Sequence, residues 1–188
     1  MKLISKIDHV YAGGLAVLHP EGQQTGIYKQ RHTSPVRVAL HGIVGDQHGD
    51  RRVHGGPEKA VHQYAAQNYE RLAQAFPDSA AELKAGSLGE NISAVGLSEL
   101  NVHIGDVFQV GSAILQVSQP RSPCWKINHR FDAEHMSMFV AKQRITGCTT
   151  GFSSRAISKK GLGSNFWSGT LNGFPSTSSG RCSCRTDR

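Results

Sequence analysis

The chain has 188 residues and a mass of 20.3 kDa, which suits one domain with a buried hydrophobic core rather than two domains. Its net charge of +7 would suit nucleic-acid binding, but the basic residues are scattered. The charge therefore favours an anionic small ligand at least as much as nucleic acid. No stretch approaches a membrane span, and the N-terminal MKLISKIDHV is charged where a signal peptide would be apolar. We expect a cytoplasmic protein with no membrane partner.

The first part of the chain predicts short strands followed by a helix. KLISKIDHVYAGGLAVL and SPVRVALHGIVGD are apolar stretches interrupted by glycines, a pattern typical of a β-rich domain. A helix is predicted over residues 58–76, because Gly56-Pro57 suits its first turn and a proline follows it. On this helix His62 would lie at the surface. The apolar residues at helical spacing are Val61, Ala65, Leu72 and Phe76.

The second half of the chain predicts a sheet and one more helix. Residues 89–120 have regular glycine breaks and alternating apolar positions, which predict three or four strands. A helix is expected across AEHMSMFVAKQRI (133–145), and GFSSRAIS (151–158) is expected to return as a strand. The predicted fold class is mainly β with peripheral helices, as a β-barrel with helices packed outside it or capping its ends.

Residues 167–188 differ in composition from the rest of the chain. WSGTLNGFPSTSSGRCSCRTDR is dominated by serine, threonine and glycine and has no apolar period. We expect a barrel domain over residues 1–166, followed by a Ser/Gly-rich tail that is disordered or the product of a frameshift. The tail should contribute little to the stability of the barrel.

Residues 45–64, GDQHGDRRVHGGPEKAVHQY, concentrate basic side chains around a Gly-Gly-Pro turn. The turn at Gly55 and Gly56 would expose backbone N–H groups at the start of a helix, where a phosphate or another anion can bind. His54 would hydrogen-bond a ligand's ring or phosphate, or its own loop. A glycine cap beside solvated arginines is the alternative for the whole segment. The cations available are Arg51, Arg52 and Lys59.

The histidines of this segment also suggest zinc. The candidate ligands would be His48, His54 and His62. Their spacing is not the i, i+4 pair of a metalloprotease helix, and the segment lacks the thiol pairs of a structural zinc site. The sequence therefore disfavours zinc.

Glu90 and Asn91 lie in LGENISAVGL, in a predicted turn between elements. Their carboxylate and amide groups can reach a pocket or satisfy backbone groups of the loop. Taken alone, this pair favours the second, structural interpretation.

Cys124 lies in SQPRSPC, a loop that two prolines stiffen after a predicted strand. The four cysteines of the chain form no disulfide-framework pattern, and Arg121 and Lys126 would favour a thiolate at Cys124. The thiol could be a nucleophile, a redox centre or a soft metal ligand. A Cys–His hydrolase using His54 or His129 stays open from spacing alone. A buried, inert cysteine is the common alternative, against which the prolines and the basic neighbour argue.

Together, three of these segments resemble the successive motifs of the MOSC domain family, most closely its YiiM-type branch. They are GDQHGDRRVHGGPEKAVHQY, LGENISAVGL and IGDVFQVGSAILQVSQPRSPCWKIN, and the resemblance covers residues 4–161. It implies a MOSC-type β-barrel that binds the molybdenum cofactor (molybdopterin), with Cys124 as metal ligand and catalytic residue. The family is also associated with pyridoxal phosphate binding. The implied cofactor-binding residues are Arg52, His54, Gly55, Gly56, Lys59, Glu90, Asn91 and Arg121.

The same resemblance implies a molybdenum-dependent oxidoreductase that reduces N-hydroxylated small molecules, including hydroxylamino-purine base analogues, and so detoxifies them. The chain shows no flavin motif and no cluster-type cysteine spacing, so the electrons would come from a separate flavoprotein or iron–sulfur protein. Members of this branch normally continue into a small C-terminal helical domain, which is absent from this sequence and on which turnover could depend.

Two other functions remain open at this point. The first is a molybdenum cofactor carrier or sulfur-handling module without turnover. The second is a basic nucleic-acid-binding barrel, which the aromatic content of only 7% disfavours, because single-strand binding relies on stacking side chains.

Overall fold

The computed structural model describes residues 4–152, 164–166 and 170–174. Within these ranges the chain forms strands β1 (Ile4–Ala12), β2 (Ala16–Val17), β3 (Gln24–Thr25), β4 (Gln30–His32), β5 (Val36–Ala39), β6 (Gly42–Ile43), β7 (Val61–Ala65), β8 (Ile92–Ala94), β9 (Val107–Val110), β10 (Ala113–Pro120), β11 (Cys148–Phe152), β12 (Ser164–Phe166) and β13 (Thr170–Phe174). The helices are α1 (Arg51–His54), α2 (Asn68–Ala75), α3 (Lys126–Phe131) and α4 (Met136–Lys142).

Seven strands pair into a closed ring. Their order is β1, β8, β7, β11, β10, β9 and β13, and β13 pairs again with β1. Every pair in the ring is antiparallel except β7 and β8, which run parallel. Closing the ring satisfies strand edges that would otherwise be exposed. The predicted fold class, mainly β with peripheral helices, is therefore confirmed.

Strand β10 shows how the sequence alternates around the wall of the barrel. Ala113, Leu115 and Val117 are buried, whereas Ile114 and Gln116 are only partly buried, as expected for a strand with one face toward the core. The main hydrophobic core contains Ile7, Val10, Val38, Val61, Ile92, Ala94, Phe108, Val110, Leu115 and Val117.

A second hydrophobic core lies between the barrel and the helices. Its members include Ile27, Tyr64, Tyr69, Leu72, Ile127, Phe131, Met136 and Val140. Because α3 is held by this core through Ile127 and Phe131, the loop that precedes α3 has a defined position over the barrel. Among the described residues, no helix has the length and apolar character needed to cross a membrane.

The helix predicted over residues 58–76 is wrong in its first half. Residues 61–65 form β7, and the helix that follows covers only Asn68–Ala75. All five residues of β7 are buried, because Val61 belongs to the main core and Tyr64 to the second core. A strand covered on both faces loses its polar alternation, so its apolar spacing resembled that of a helix. His62 is consequently buried rather than at the surface.

The second half of the chain follows the sequence more closely. Three strands, β8, β9 and β10, lie between residues 89 and 120, and α4 lies inside the predicted helix at 133–145. Helix α3 was not predicted from the sequence. Of the strand expected at 151–158, the first two residues complete β11 and the others lie outside the described residues.

Part of the tail takes part in the barrel. Residues 170–174 form β13, which pairs with β1 and with β9. Composition gave no indication of this strand, because the backbone partners that β1 and β9 offer at their edges are not visible in composition. The rest of the tail lies outside the described residues, and the domain boundary at residue 166 stays a prediction.

Candidate functional site

A cleft of about 600 Å³, including its open mouth, lies between the barrel and α3. Four chain segments supply most of its lining: residues 25–29, residues 47–49, residues 88–91, and the loop at 121–127 that leads from β10 into α3. His54, Lys59, His62 and Thr149 complete it. The lining residues that matter for chemistry are Lys29, His48, His54, Lys59, His62, Asn91, Arg121, Cys124 and Lys126.

Cys124 lies at this cleft in a loop that is anchored at both ends. The backbone N–H of Arg121 donates to the carbonyl of Gly147 at 3.0 Å, and the carbonyl of Cys124 accepts from Ile127 N–H at 3.0 Å. The thiol is partly exposed and is not in a disulfide. Two prolines and two backbone hydrogen bonds thus hold a reachable sulfur beside the cleft.

Four cations line the cleft, and two of them sit in largely desolvated positions. They are Lys29, Lys59, Arg121 and Lys126. Burial lowers the pKa of Lys29, partly offset by Asp46, and burial lowers the pKa of Arg121, partly offset by Cys124. Lys59 Nζ donates to the carbonyl of Val53 at 2.7 Å. The cleft is therefore a positive site that favours an anionic ligand.

The three histidines of the cleft are neutral at neutral pH. Burial, with the charge of Arg121 as a further cause, lowers the pKa of His62 well below its ordinary value and that of His54 to about 4. Burial also lowers the pKa of His48, with Asp46 opposing the shift. In the part of the chain that the structure describes, no group of three His, Cys, Asp or Glu is arranged to hold a metal ion, so zinc gains no support.

His62 lines the cleft with a buried imidazole ring. Its Nε2 lies 3.4 Å from the carbonyl of Thr146, and because a carbonyl can only accept, Nε2 carries the proton of the neutral ring. Its Nδ1 is buried and has no hydrogen-bond partner among the described residues. Buried polar atoms are seldom left in this state, so Nδ1 is suited to accept from a ligand N–H.

Asn91 lines the cleft, but its side chain serves the protein itself. Its Nδ2 donates to the carbonyl of Tyr11 at 3.0 Å and to Asp46 at 2.9 Å, and its Oδ1 accepts from His62 N–H at 3.0 Å. Asn91 thus joins β1, β7 and the residue 46–48 segment. Its amide positions the cleft wall and has no hydrogen remaining for a ligand.

Glu90 points away from the cleft into the second core. Its Oε1 accepts from the Tyr69 hydroxyl and from Gly86 N–H, each at 2.6 Å, and its side chain is fully buried. Burial raises the pKa of this carboxyl group. Glu90 therefore braces the surrounding loops and does not line the cleft.

Arg52, Gly55 and Gly56 also lie outside the cleft lining. The Arg52 side chain is 90% exposed and pairs with Asp50 at 2.9 Å. Gly55 ends α1, and Gly56 has φ 108°, a value that favours glycine. These glycines shape the chain between His54 and Lys59, both of which do reach the cleft.

His129, the other histidine considered for a Cys–His pair, is engaged elsewhere. Its Nε2 lies 2.9 Å from the carbonyl of His19 and 3.0 Å from a carboxylate oxygen of Glu21. Within the described ranges, no hydrogen bond joins Cys124 to a histidine. The structure thus offers no support for the hydrolase alternative.

Several parts of the cleft were not predicted from the sequence. Lys29 carries no motif signal, yet the fold buries it there beside Asp46. Gly26 and Gly49 let two segments cross in backbone contact: a Cβ at Gly26 would lie 2.1 Å from the carbonyl of Gln47, and one at Gly49 would lie 2.4 Å from that of Gln24. Of these features, only the two glycines were recognisable in the sequence, because glycine often marks a close approach of two backbone segments.

Comparison with known proteins assigns this barrel and cleft to a family. A family model described as the MOSC domain matches residues 50–162. The match covers more than half of the chain, and the chain belongs to the MOSC domain family. Members of this family are associated with binding of the molybdenum cofactor.

Relatives identified by sequence include three proteins. The chain is 39% identical over 131 residues to protein YiiM of Escherichia coli strain K12, a match that covers 70% of this chain and 58% of YiiM. It is 39% identical over 128 residues to the uncharacterized protein YflK of Bacillus subtilis, covering 66% and 55%. It is 41% identical over 108 residues to a protein named reductase from Gibberella moniliformis, covering 57% and 19%. The chain thus spans little more than half the length of YiiM and YflK.

Solved structures extend the likeness to most of the chain. The crystal structure of YiiM from Escherichia coli superposes with a TM-score of 0.75 at 26% identity, covering 96% of this chain and 74% of that one. YiiM from Geobacillus stearothermophilus gives a TM-score of 0.70 at 22% identity, covering 91% and 75%, a likeness that shows the fold alone.

The residues present at the cleft fit the cofactor that the family implies. Cys124 supplies a soft sulfur donor, and the four cations suit an anionic phosphate. The unpartnered Nδ1 of His62 suits an N–H donor of a heterocyclic ring. All three features face one cleft.

Proposed function

We propose that this protein is a molybdenum-cofactor-dependent reductase of N-hydroxylated compounds such as hydroxylamino-purine base analogues. The proposal rests above all on the position of Cys124, whose thiol lies at a cleft that four cations make positive. Similarity to a relative that is named a reductase is compatible with redox chemistry.

When bound, the molybdenum cofactor would supply a two-electron centre for cleaving an N–O bond. The overall reaction takes R–NH–OH, two electrons and two protons to R–NH₂ and water. The N–O bond breaks and the substrate is reduced. A separate flavoprotein or iron–sulfur protein is the proposed electron source.

Cys124 would act as the protein's ligand to molybdenum. A thiolate is a suitable soft donor for this metal, and Arg121 lines the same cleft. The hydrogen bonds at Arg121 and Ile127 hold the loop in place, so little ordering entropy is lost when the ligand bond forms.

The remaining cleft residues would bind and orient the cofactor. Lys59, Arg121 and Lys126 can contact an anionic phosphate, and His62 Nδ1 can accept from a ring N–H. Ile27, Leu88 and Ile127 add apolar wall to the cleft, which limits access of water to the reacting bond.

The test is metal analysis and turnover of protein purified from a host that makes the molybdenum cofactor. We expect molybdenum near one per chain, and consumption of hydroxylamino-purine driven by a reduced dye. Molybdenum without turnover, with the dye still reduced, would instead identify a carrier or sulfur-handling module. Failure to retain molybdenum at all would contradict both functions.

A further inference from the structure

An open groove adjoins the cleft. It has a volume of about 1070 Å³, including its open side, and is formed by β5, β6 and the segments that flank them. Gln47 and His48 line both the groove and the cleft, so the two spaces meet along this segment. None of the residues that we assign to cofactor binding lines the groove.

The walls of the groove are apolar and accessible. Leu15 is 38% exposed and Val44 is 57% exposed. Leu40 is partly buried and also lines the groove, and Ile43 closes its floor at 3% exposure. When the flat face of a ligand covers exposed aliphatic side chains of one concave surface, the burial of apolar area favours binding.

The polar groups of the groove are mainly donors. Gln47 Oε1 accepts from Leu15 N–H at 3.0 Å, which leaves the Gln47 NH₂ group to donate. Arg51 and His41 add further donors at the edge. The groove's carboxylate, Asp46, has an inaccessible side chain that accepts from the backbone of Gly13, from Asn91 and from Lys29. It therefore offers nothing to a cationic ligand.

We propose that this groove binds the ring of a planar, acceptor-rich nitrogen heterocycle, with the N-hydroxylamino group directed past Gln47 and His48 toward the cleft. Aliphatic walls suit the ring faces, and side-chain donors suit ring nitrogens, which are acceptors in purines. The inference rests on the proposed function, to which it adds a substrate-binding site and a preference for heterocyclic over ring-free N-hydroxy compounds.

The test compares Val44→Trp with Val95→Trp. Both valines are 57% exposed, but Val95 lies outside the groove lining, so it is a matched control. The cofactor-loaded variants are assayed with 6-hydroxylaminopurine and with hydroxylamine, which has no ring. In Val44→Trp the ratio of kcat/KM for the purine to that for hydroxylamine should fall about tenfold or more, mainly through a higher KM for the purine. Val95→Trp should keep the wild-type ratio.

A second measurement does not depend on turnover. Adenine, the amine product, is titrated into the full chain without cofactor and followed by ligand-observed NMR; binding should be lost in Val44→Trp and retained in Val95→Trp. Leu15→Lys provides a second groove variant if Val44→Trp does not fold.

The outcomes separate the two proposals. An unchanged selectivity ratio in a folded, active groove variant overturns the proposed binding site and leaves the proposed reductase function unaffected. A molybdenum-loaded wild type that reduces neither compound overturns the reductase, and the adenine titration then decides the groove alone. Adenine that does not bind, or that binds equally to both tryptophan variants, counts against the groove.

Discussion

Lys29 and Asp46 form an ion pair at the wall of the cleft, with side-chain exposures of only 4% and 0%. Asp46 also accepts hydrogen bonds from Gly13 N–H and from Asn91, each at 2.9 Å. Through Asn91 this pair supports His62 and the wall that β7 contributes to the cleft. A buried charge pair of this kind makes the geometry of the cleft sensitive to the loss of either partner.

We predict that Lys29→Met destabilises the protein strongly, because it leaves Asp46 buried without its cation. The free energy of unfolding should fall by about 3–5 kcal/mol, measured by urea denaturation. Arg52→Met provides the control, since it removes an ion pair whose arginine is 90% exposed, and exposed pairs contribute little. Equal losses in the two variants would show that burial does not decide the strength of the Lys29 pair.

Cys124→Ser should remove molybdenum binding without unfolding the protein, because the swap is nearly isosteric but replaces a soft donor with a hard one. Molybdenum content and N-hydroxy reduction should both be lost, while the thermal midpoint stays close to that of the wild type. Cys148→Ser is the control: Cys148 lies in β11, in the barrel core, and its thiol donates to Gln63 at 3.1 Å, a bond that a serine hydroxyl can also make. Molybdenum retained by Cys124→Ser and lost from Cys148→Ser would refute the ligand assignment.

Arg121→Ala should weaken retention of the cofactor, because Arg121 lines the cleft and its charge is poorly solvated. Arg52→Ala should not, because Arg52 faces solvent; in this respect the structure changes the expectation drawn from the sequence. Molybdenum and phosphate content after gel filtration measures both effects. A larger loss from Arg52→Ala would place the phosphate outside this cleft.

The protein should lose stability as the pH falls below about 6.5. The pKa of His62 is well below this value in the folded state, and that of His54 is about 4, whereas in the unfolded chain both should titrate near 6.5. The unfolded state therefore binds more protons between pH 6.5 and 4, and stability falls across that window as pH decreases. Thermal midpoints measured from pH 8 to pH 4.5 should show this slope.

His62→Gln should flatten this acid slope, because glutamine does not titrate and its amide can still donate to Thr146. His41→Gln, at an exposed position, should leave the slope as it is. A slope that is the same in all three proteins would mean that other groups cause the acid sensitivity.

Removing β13 should destabilise the barrel, because residues 170–174 pair with β1 on one side and β9 on the other. A chain that ends at residue 169 should have a thermal midpoint several degrees below that of a chain ending at residue 174, since a domain of this size shifts by about 2–4 °C per kcal/mol. Identical midpoints would show that the whole tail contributes little to the stability of the barrel, as its composition suggests.

Much of the architecture could be predicted from local pattern. The alternation in β10, the glycine breaks before β9 and β10, and the apolar spacing in α4 each depend on residues that are neighbours in the chain, so periodicity revealed them. The importance of Cys124 was also visible locally, because prolines and cations surround it in a few residues of sequence.

The rest depended on contacts between distant segments. Val61–Ala65 became a strand because two separate cores cover its two faces, and Lys29 reached the cleft because burial paired it with Asp46. Arg52 and Lys59 are equally basic in the sequence, yet only Lys59 lines the cleft. The sequence by itself determined which chemical groups the protein possesses and which local elements they favour. The tertiary structure alone decided which of those groups share one desolvated space, because burial and charge pairing are properties of the packed chain.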